Sequence, residues 1–282
     1  MFTKGVKFMK KEELIDVFIE NGASLNTAKS YVQDVIMLEK WLNKDILDAT
    51  RMDLTRYIEY MTKDKKSSPA TINRTVYSLK KFYELMEVEP NPASKLRRVK
   101  LQKRSPEYFN EKEMETVINN LSDRNYERNK LIIALASICG LRKSEIVELD
   151  VENFDGRKID ILGKGNKMRS IMIPDSIGLL IYRYLNGRKS GPMFLSERGN
   201  RISVGAIGNI MRMLKQDTGM DVHMHKFRHT AATNAYRQDK DIRAVQEMLG
   251  HSSVNTTQIY ITVDDNRIKE LMENSPIISK II

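Results

Sequence analysis

The chain has 282 residues, 41% of them hydrophobic; that exceeds the usual size of one domain and is apolar enough for real cores, so two domains are expected and disorder is excluded. Its 47 Lys and Arg against 37 Asp and Glu give a formal charge of +10, a balance that suits a polyanion such as nucleic acid through counterion release and steering. A single cysteine, Cys139, leaves no disulfide framework, and neither a membrane span nor a signal peptide is visible, so a cytoplasmic, nucleoid-associated protein is expected.

The first ninety or so residues read as helices. KEELIDVFIENG stops at Asn21-Gly22, and NTAKSYVQDVIMLEKWL carries Tyr31, Val35, Leu38 and Leu42 at helical spacing with Asn26 as its N-cap. DLTRYIEYMTK follows, with Asp53 as cap, and SSPATINRTVYSLKKFYELMEV opens on Ser68 with Pro69 at the first helical position. Four helices thus make a small α-domain over residues 1–89. Residues 90–105 are a linker, because two prolines break the helix and Lys95, Arg97, Arg98, Lys100, Lys103 and Arg104 follow with no acid between them. Such a run is either a solvated tether or a strap along phosphates.

From residue 106 the pattern changes. EKEMETVINNL, NYERNKLIIALASICG and LRKSEIVEL read as helices, the last beginning after a break at Gly140. KIDILGKGNKMRSIMIP sets Ile159 and Ile161, then Ile171 and Ile173, in alternation about the turn Lys164-Gly165-Asn166-Lys167, which predicts a β-hairpin. IGLLIYRYL, VGAIGNIMRML, the histidine-rich stretch and DDNRIKELMEN return to helix, and the apolar tail PIISKII is too short to fold alone. Cys139, inside an apolar run, reads as a small core residue.

All four histidines, His223, His225, His229 and His251, lie in or just before HKFRHTAATNAYRQDKDIRAVQEMLGHSSVNTTQIY. A metal site is a poor fit, because Lys226 and Arg228 lie between His225 and His229 and no nearby carboxylate offers a third ligand. A phosphodiester site fits better. His225 and Arg228 are three apart on one helical face, Arg142 begins another helix, and two guanidiniums can fork onto the non-bridging oxygens of a phosphoryl-transfer transition state without any metal. Tyr260 is available as a nucleophile.

GLRKSEIVEL, GKGNKMRSIMIP, HKFRHTAA, LGHSS and TTQIY, in this order and at these separations, resemble the boxes of the tyrosine recombinase (phage integrase) family. In overall length the chain looks most like the Xer site-specific recombinases. The resemblance is specific over about residues 140–260 and weak over the N-terminal domain, where TINRTVYSLKKFYELM is similar to the family's last helix there.

The resemblance implies a mainly α fold with a small antiparallel sheet in the catalytic domain, two domains closing as a clamp on DNA: a SAM-like core-binding domain (1–89), the basic linker (90–105), and a catalytic domain with its tail (106–282). It implies that Arg142 and Arg228 bind the scissile phosphate, that Lys164 protonates the departing 5′ oxygen, and that Tyr260 becomes a 3′-phosphotyrosyl ester. His225 would accept the phenolic proton, His251 would donate to a non-bridging oxygen or position the tyrosine, and Glu145 would orient Arg142 or His225. Lys29, Arg74, Lys80 and Lys81, on helices that face the duplex in such a fold, and Arg97 and Arg98 in the linker, are the DNA-binding candidates. No cofactor and no metal are implied. The partners are a double-stranded recombination site and three further copies of the chain, and the tail, with Ile277, Ile278, Ile281 and Ile282, docks either on a neighbouring protomer or on its own domain. Chromosome-dimer resolution of Xer type leads over a mobile-element integrase and over type IB topoisomerase-like relaxation.

Overall fold

The computed structural model describes residues 10–100, 107–122, 124–162, 168–239, 241–250, 269–270 and 272–281. Two compact units divide at residues 104 and 105. Among the described residues no helix is long and apolar enough to cross a membrane.

The first unit holds α1 (Lys11–Glu20), α2 (Leu25–Leu42), α3 (Arg51–Lys63) and α4 (Pro69–Leu85), with a 3-10 turn at Ile46–Asp48. Apolar residues on the inner faces of these helices, among them Phe18, Val32, Leu38, Leu54, Val76 and Phe82, form its core. The carboxylate of Asp34 on α2 is buried, and it accepts a two-pronged bond from Arg74 (3.0 and 2.8 Å) and a bond from Ser78 (3.1 Å) on α4. A buried charge needs such partners, so this cluster joins the two long helices.

The start of α4 agrees with its sequence signals, since Ser68 accepts from the Thr71 N–H and Pro69 opens the helix. Two other starts differ. Ser24, not Asn26, caps α2 through Thr27 N–H, which puts Asn26 inside the first turn. Thr50 caps α3, and Asp53 is the reciprocal half of that capping box, its carboxylate accepting the Thr50 N–H at 2.9 Å.

The stretch after α4 is not a free tether up to Val99. Ala93 and Leu96 are buried in the first unit's core, and Asn73 on α4 exchanges two hydrogen bonds with the backbone of Val99 (2.9 and 2.7 Å). Two apolar side chains three residues apart suffice to seat it, leaving Lys95, Arg97 and Arg98 exposed.

The second unit contains α5 (Glu111–Asn119), α6 (Tyr126–Ser137), α7 (Lys143–Glu148), strands β1 (Lys158–Leu162) and β2 (Met168–Met172), then α8 (Asp175–Leu185), α9 (Val204–Thr218), α10 (Met224–Asp239) and α11 (Ile242–Leu249). A mainly helical chain with one small antiparallel sheet is therefore the architecture. The strands pair Ile159 with Ile171 and Ile161 with Arg169, and all three isoleucines are buried.

α6 is the central helix, apolar nearly all round, with α8 and α10 packed against it. Cys139 at its end is fully buried, and burial pushes its thiol up, as befits a core filler. Gly140 then adopts φ +69°, where a side chain would meet Leu249 at 2.7 Å; the glycine lets the chain turn sharply from α6 toward Arg142. The tail ends in a helical turn, Ile278–Ile281, with Ile277 and Ile281 buried against α5 and α6 of its own unit.

Candidate active site

Gly140 brings the end of α6 next to α7, and Arg142 is the N-cap residue of α7. Helix N-termini leave unpaired N–H groups; here Glu145 satisfies one, its Oε2 accepting the Arg142 N–H at 2.8 Å. Its Oε1 also accepts from Arg142 Nη1 at 2.7 Å. Glu145 thus holds Arg142 through main chain and side chain together.

The same carboxylate takes a second fork from Arg169 on β2, Nη1 to Oε1 at 2.9 Å and Nη2 to Oε2 at 3.1 Å. Arg228 Nη1 lies 4.0 Å from Oε2. Three guanidiniums therefore surround one buried carboxylate. Burial alone would raise the pKa of Glu145, but the hydrogen bonds from Arg169 and Arg142 outweigh it, and the group is held below the usual carboxylate range.

α10 presents the other half of the site. His223 precedes it, and its Nδ1 accepts the Lys226 N–H at 3.1 Å, a capping role. His225, at its first turn, is exposed, and Arg228 one turn on is buried. Arg228 donates to the carbonyl oxygens of Gly140 and, at 2.6 Å, Leu249, joining α10 to the turn after α6 and to the end of α11. Burial, then the nearby Arg142 charge, lowers its pKa to about 10, so it stays protonated at pH 7.

His225 and His229 meet edge to face with centroids 5.1 Å apart. Desolvation, then the charges of Arg228, His223 and Arg142, depress the pKa of His225. Its imidazole is therefore neutral at pH 7 and free to accept a proton. If it is the base for Tyr260, the single-turnover cleavage rate will hold steady through the ordinary histidine value of about pH 6.5 and fall only at more acid pH, because the group's pKa is depressed. A rate that rises in acid would exclude this role.

Arg142, Glu145, His225 and Arg228 thus gather on two helix starts and the turn after α6. Lys164, His251 and Tyr260 lie outside the described residues. Arg142 keeps about a third of its side chain exposed, against 6% for Arg228, so it is the more open of the two cations. The arrangement can hold a phosphate diester: two fixed guanidiniums, an imidazole that can accept a proton, and a carboxylate that sets the direction of one cation. Among the described residues no cluster of three metal-ligating side chains is present.

Arg169 was absent from the sequence reading, although a signal for it existed. It shares the strand face of Ile171 and Ile173, and an arginine in register with buried isoleucines needs an acid to meet it. Of the DNA-binding candidates, Lys29 and Arg74 line one cleft of about 550 Å3 together with Lys11, Ser30 and Gln33. Lys81 pairs with Glu84, and Lys80 sits where Asn91 bonds its carbonyl. Arg97 and Arg98 are exposed.

The model of the phage integrase family matches residues 107–267, and that of the phage integrase N-terminal SAM-like domain matches residues 14–89. Tyrosine recombinase XerC of Caldanaerobacter subterraneus subsp. tengcongensis is 33% identical, over 94% of this chain and 86% of that one. Its namesake in Leptospira interrogans is 30% identical over 90% and 88%. Among solved structures, the XerH site-specific recombinase in its pre-cleavage complex with difH substrate aligns over 94% of this chain and 84% of that one, with TM-score 0.64 and 21% identity. A lambda integrase dimer bound to a core site aligns over 87% and 74%, with TM-score 0.69 and 17% identity. These two show a shared fold.

Proposed function

The chain belongs to the phage integrase family, and from that premise we propose that it is a site-specific tyrosine recombinase of Xer type, which cuts and rejoins DNA strands without metal or nucleotide. The observation that carries this reading is the pair Arg142 and Arg228, fixed around Glu145 beside the exposed imidazole of His225.

In the proposed reaction Arg142 and Arg228 hold the non-bridging oxygens of the scissile phosphate. Tyr260 Oη attacks phosphorus as His225 takes its proton; the bond from phosphorus to the 5′ oxygen breaks, and Lys164 protonates that oxygen. The 3′-phosphotyrosyl ester keeps the energy of the broken bond, so a 5′ hydroxyl from a partner duplex can attack it and release Tyr260. His251 completes the site by bonding a non-bridging oxygen or positioning the tyrosine. Two such rounds pass through a Holliday junction and need four protomers on two duplexes. Lys29 and Arg74, with Lys80, Lys81, Arg97 and Arg98, hold the duplex backbone, within the domain plan of residues 1–89, 90–105 and 106–282. The tail, packed on its own unit in the single chain, is the segment available for docking on a neighbour in that assembly.

Lys164→Ala should slow cleavage of ordinary DNA by about 100-fold or more, as expected for loss of a general acid. Cleavage should recover on a duplex whose scissile 5′ oxygen is replaced by sulfur, a leaving group that needs no proton. Equal slowing on both substrates would remove Lys164 from that role.

The function itself is tested on a supercoiled plasmid carrying two copies of a duplex selected for binding from a randomised pool. Resolved circles and Holliday junctions with two copies, and neither without them, are the expected products. Relaxation of a plasmid lacking the site, with no exchange, would favour type IB topoisomerase-like activity instead.

A further inference from the structure

We infer that Arg169 is a positioning residue for strand cleavage: by gripping both oxygens of Glu145 it fixes Arg142 for the scissile phosphate and locks the hairpin strand to the helix end that precedes His251. This inference rests on the recombinase reading above.

Two contacts and one sequence position carry it. First, the fork onto Glu145 uses both terminal nitrogens of Arg169, which holds the carboxylate plane so that its remaining lone pairs meet the N–H and Nη1 of Arg142. A carboxylate held by Arg142 alone could rotate with it; one gripped from β2 cannot. Second, Arg169 leaves strand β2 only five residues after Lys164, so the same side chain ties the strand behind the proposed acid to the proposed phosphate clamp. Third, its guanidinium lies across Gly250, the C-cap of α11 at φ +62°. A side chain there would come within 2.6 Å of Arg169 Cζ, and His251 is the next residue. Glu145, strand β2 and the end of α11 thus meet at one guanidinium.

The chemistry favours positioning over simple packing. Arg169 Nε is buried with no acceptor, so the fork is kept although one donor goes unmet. Both Nη atoms of Arg169 are engaged by the Glu145 carboxylate, so its route to the phosphate runs through Arg142. The three cations around one anion leave an excess of positive charge that a phosphate diester would meet; Arg169 supplies part of it while Arg142 stays open.

The test uses the full chain with a nicked suicide duplex at saturating protein, comparing wild type, Arg169→Lys, Glu145→Gln and the double variant. Lysine keeps the charge and loses the fork. Arg169→Lys should slow adduct formation by about 10–100-fold, the scale of a small misplacement of a catalytic group, with DNA affinity within about twofold. The double variant should be no slower than its slower parent, because both act through one carboxylate. The deficit should shrink on a duplex with a neutral methylphosphonate at the scissile position, which makes less demand on Arg142. If Arg169→Lys does not fold, Arg169→Met, which removes the buried charge and keeps most of the stem, takes its place. Full activity in the variant, or equal deficits on both substrates with additive effects in the double variant, would overturn the inference while wild-type cleavage stands. A wild type that forms no adduct would overturn the recombinase reading, and this inference with it.

Discussion

Tyr260→Phe is expected to bind its recombination site as wild type does and to form no covalent adduct at all. The substitution removes one oxygen, the atom that would attack phosphorus, and leaves the ring. A phenol with an ordinary pKa of about 10 needs a base to become a nucleophile, and in the proposed scheme His225 is that base. No other group in the proposed scheme can replace that oxygen, so the loss should be complete. In the proposed scheme affinity rests on phosphate contacts by lysines and arginines and should be unchanged. Among the described residues of the second unit, Tyr182 and Tyr236 are the exposed tyrosines. An adduct that survives in Tyr260→Phe, on either of these or elsewhere, would overturn the assignment.

Arg228→Ala should combine a loss of cleavage with a loss of stability. Its guanidinium bonds the carbonyls of Gly140 and Leu249 and lies 4.0 Å from Glu145. Truncation leaves two carbonyls without a donor at a buried site and a carboxylate short of one cation, a cost of about 2–5 kcal/mol. In the proposed scheme it also removes one of two donors to the non-bridging oxygens, where charge develops, worth about 10²–10³ in rate. Arg228→Lys separates the two effects: it restores a positive charge near Glu145 but cannot reach both carbonyls in one plane. A urea titration should place Arg228→Lys between wild type and Arg228→Ala, and single-turnover cleavage should leave it at least about 100-fold slow. An Arg228→Lys variant that cleaves at the wild-type rate would contradict the phosphate role.

The mainly helical fold and its hairpin were legible because they rest on local signals, periodic apolar residues, Pro69 after Ser68 and a sharp Gly140; Arg142, Glu145, His225 and Arg228 were named together because the boxes that carry them resemble one family's in order and separation. The errors have local causes too. Asn26 and Asp53 are both good capping types, but each sits three residues or fewer beyond a Ser or Thr that caps first. The seating of residues 90–99 was hidden by the basic residues around Ala93 and Leu96, which drew attention to charge and away from the apolar pair. Arg169 was missed because its partner, Glu145, is 24 residues away in sequence, and no periodicity names a tertiary partner. The tail's choice between its own domain and a neighbour was equally illegible, since PIISKII is apolar toward either.

The central claim is that this chain cuts DNA by phosphotyrosyl chemistry that needs no metal. It is tested most directly by incubating the wild type with a nicked suicide duplex in EDTA and without ATP, digesting the product, and locating the DNA-linked peptide by mass spectrometry. The account predicts a 3′-phosphoryl link on the peptide that contains Tyr260. Tight binding with no adduct, an adduct that forms only when a divalent cation is restored, or a link to another residue would contradict it.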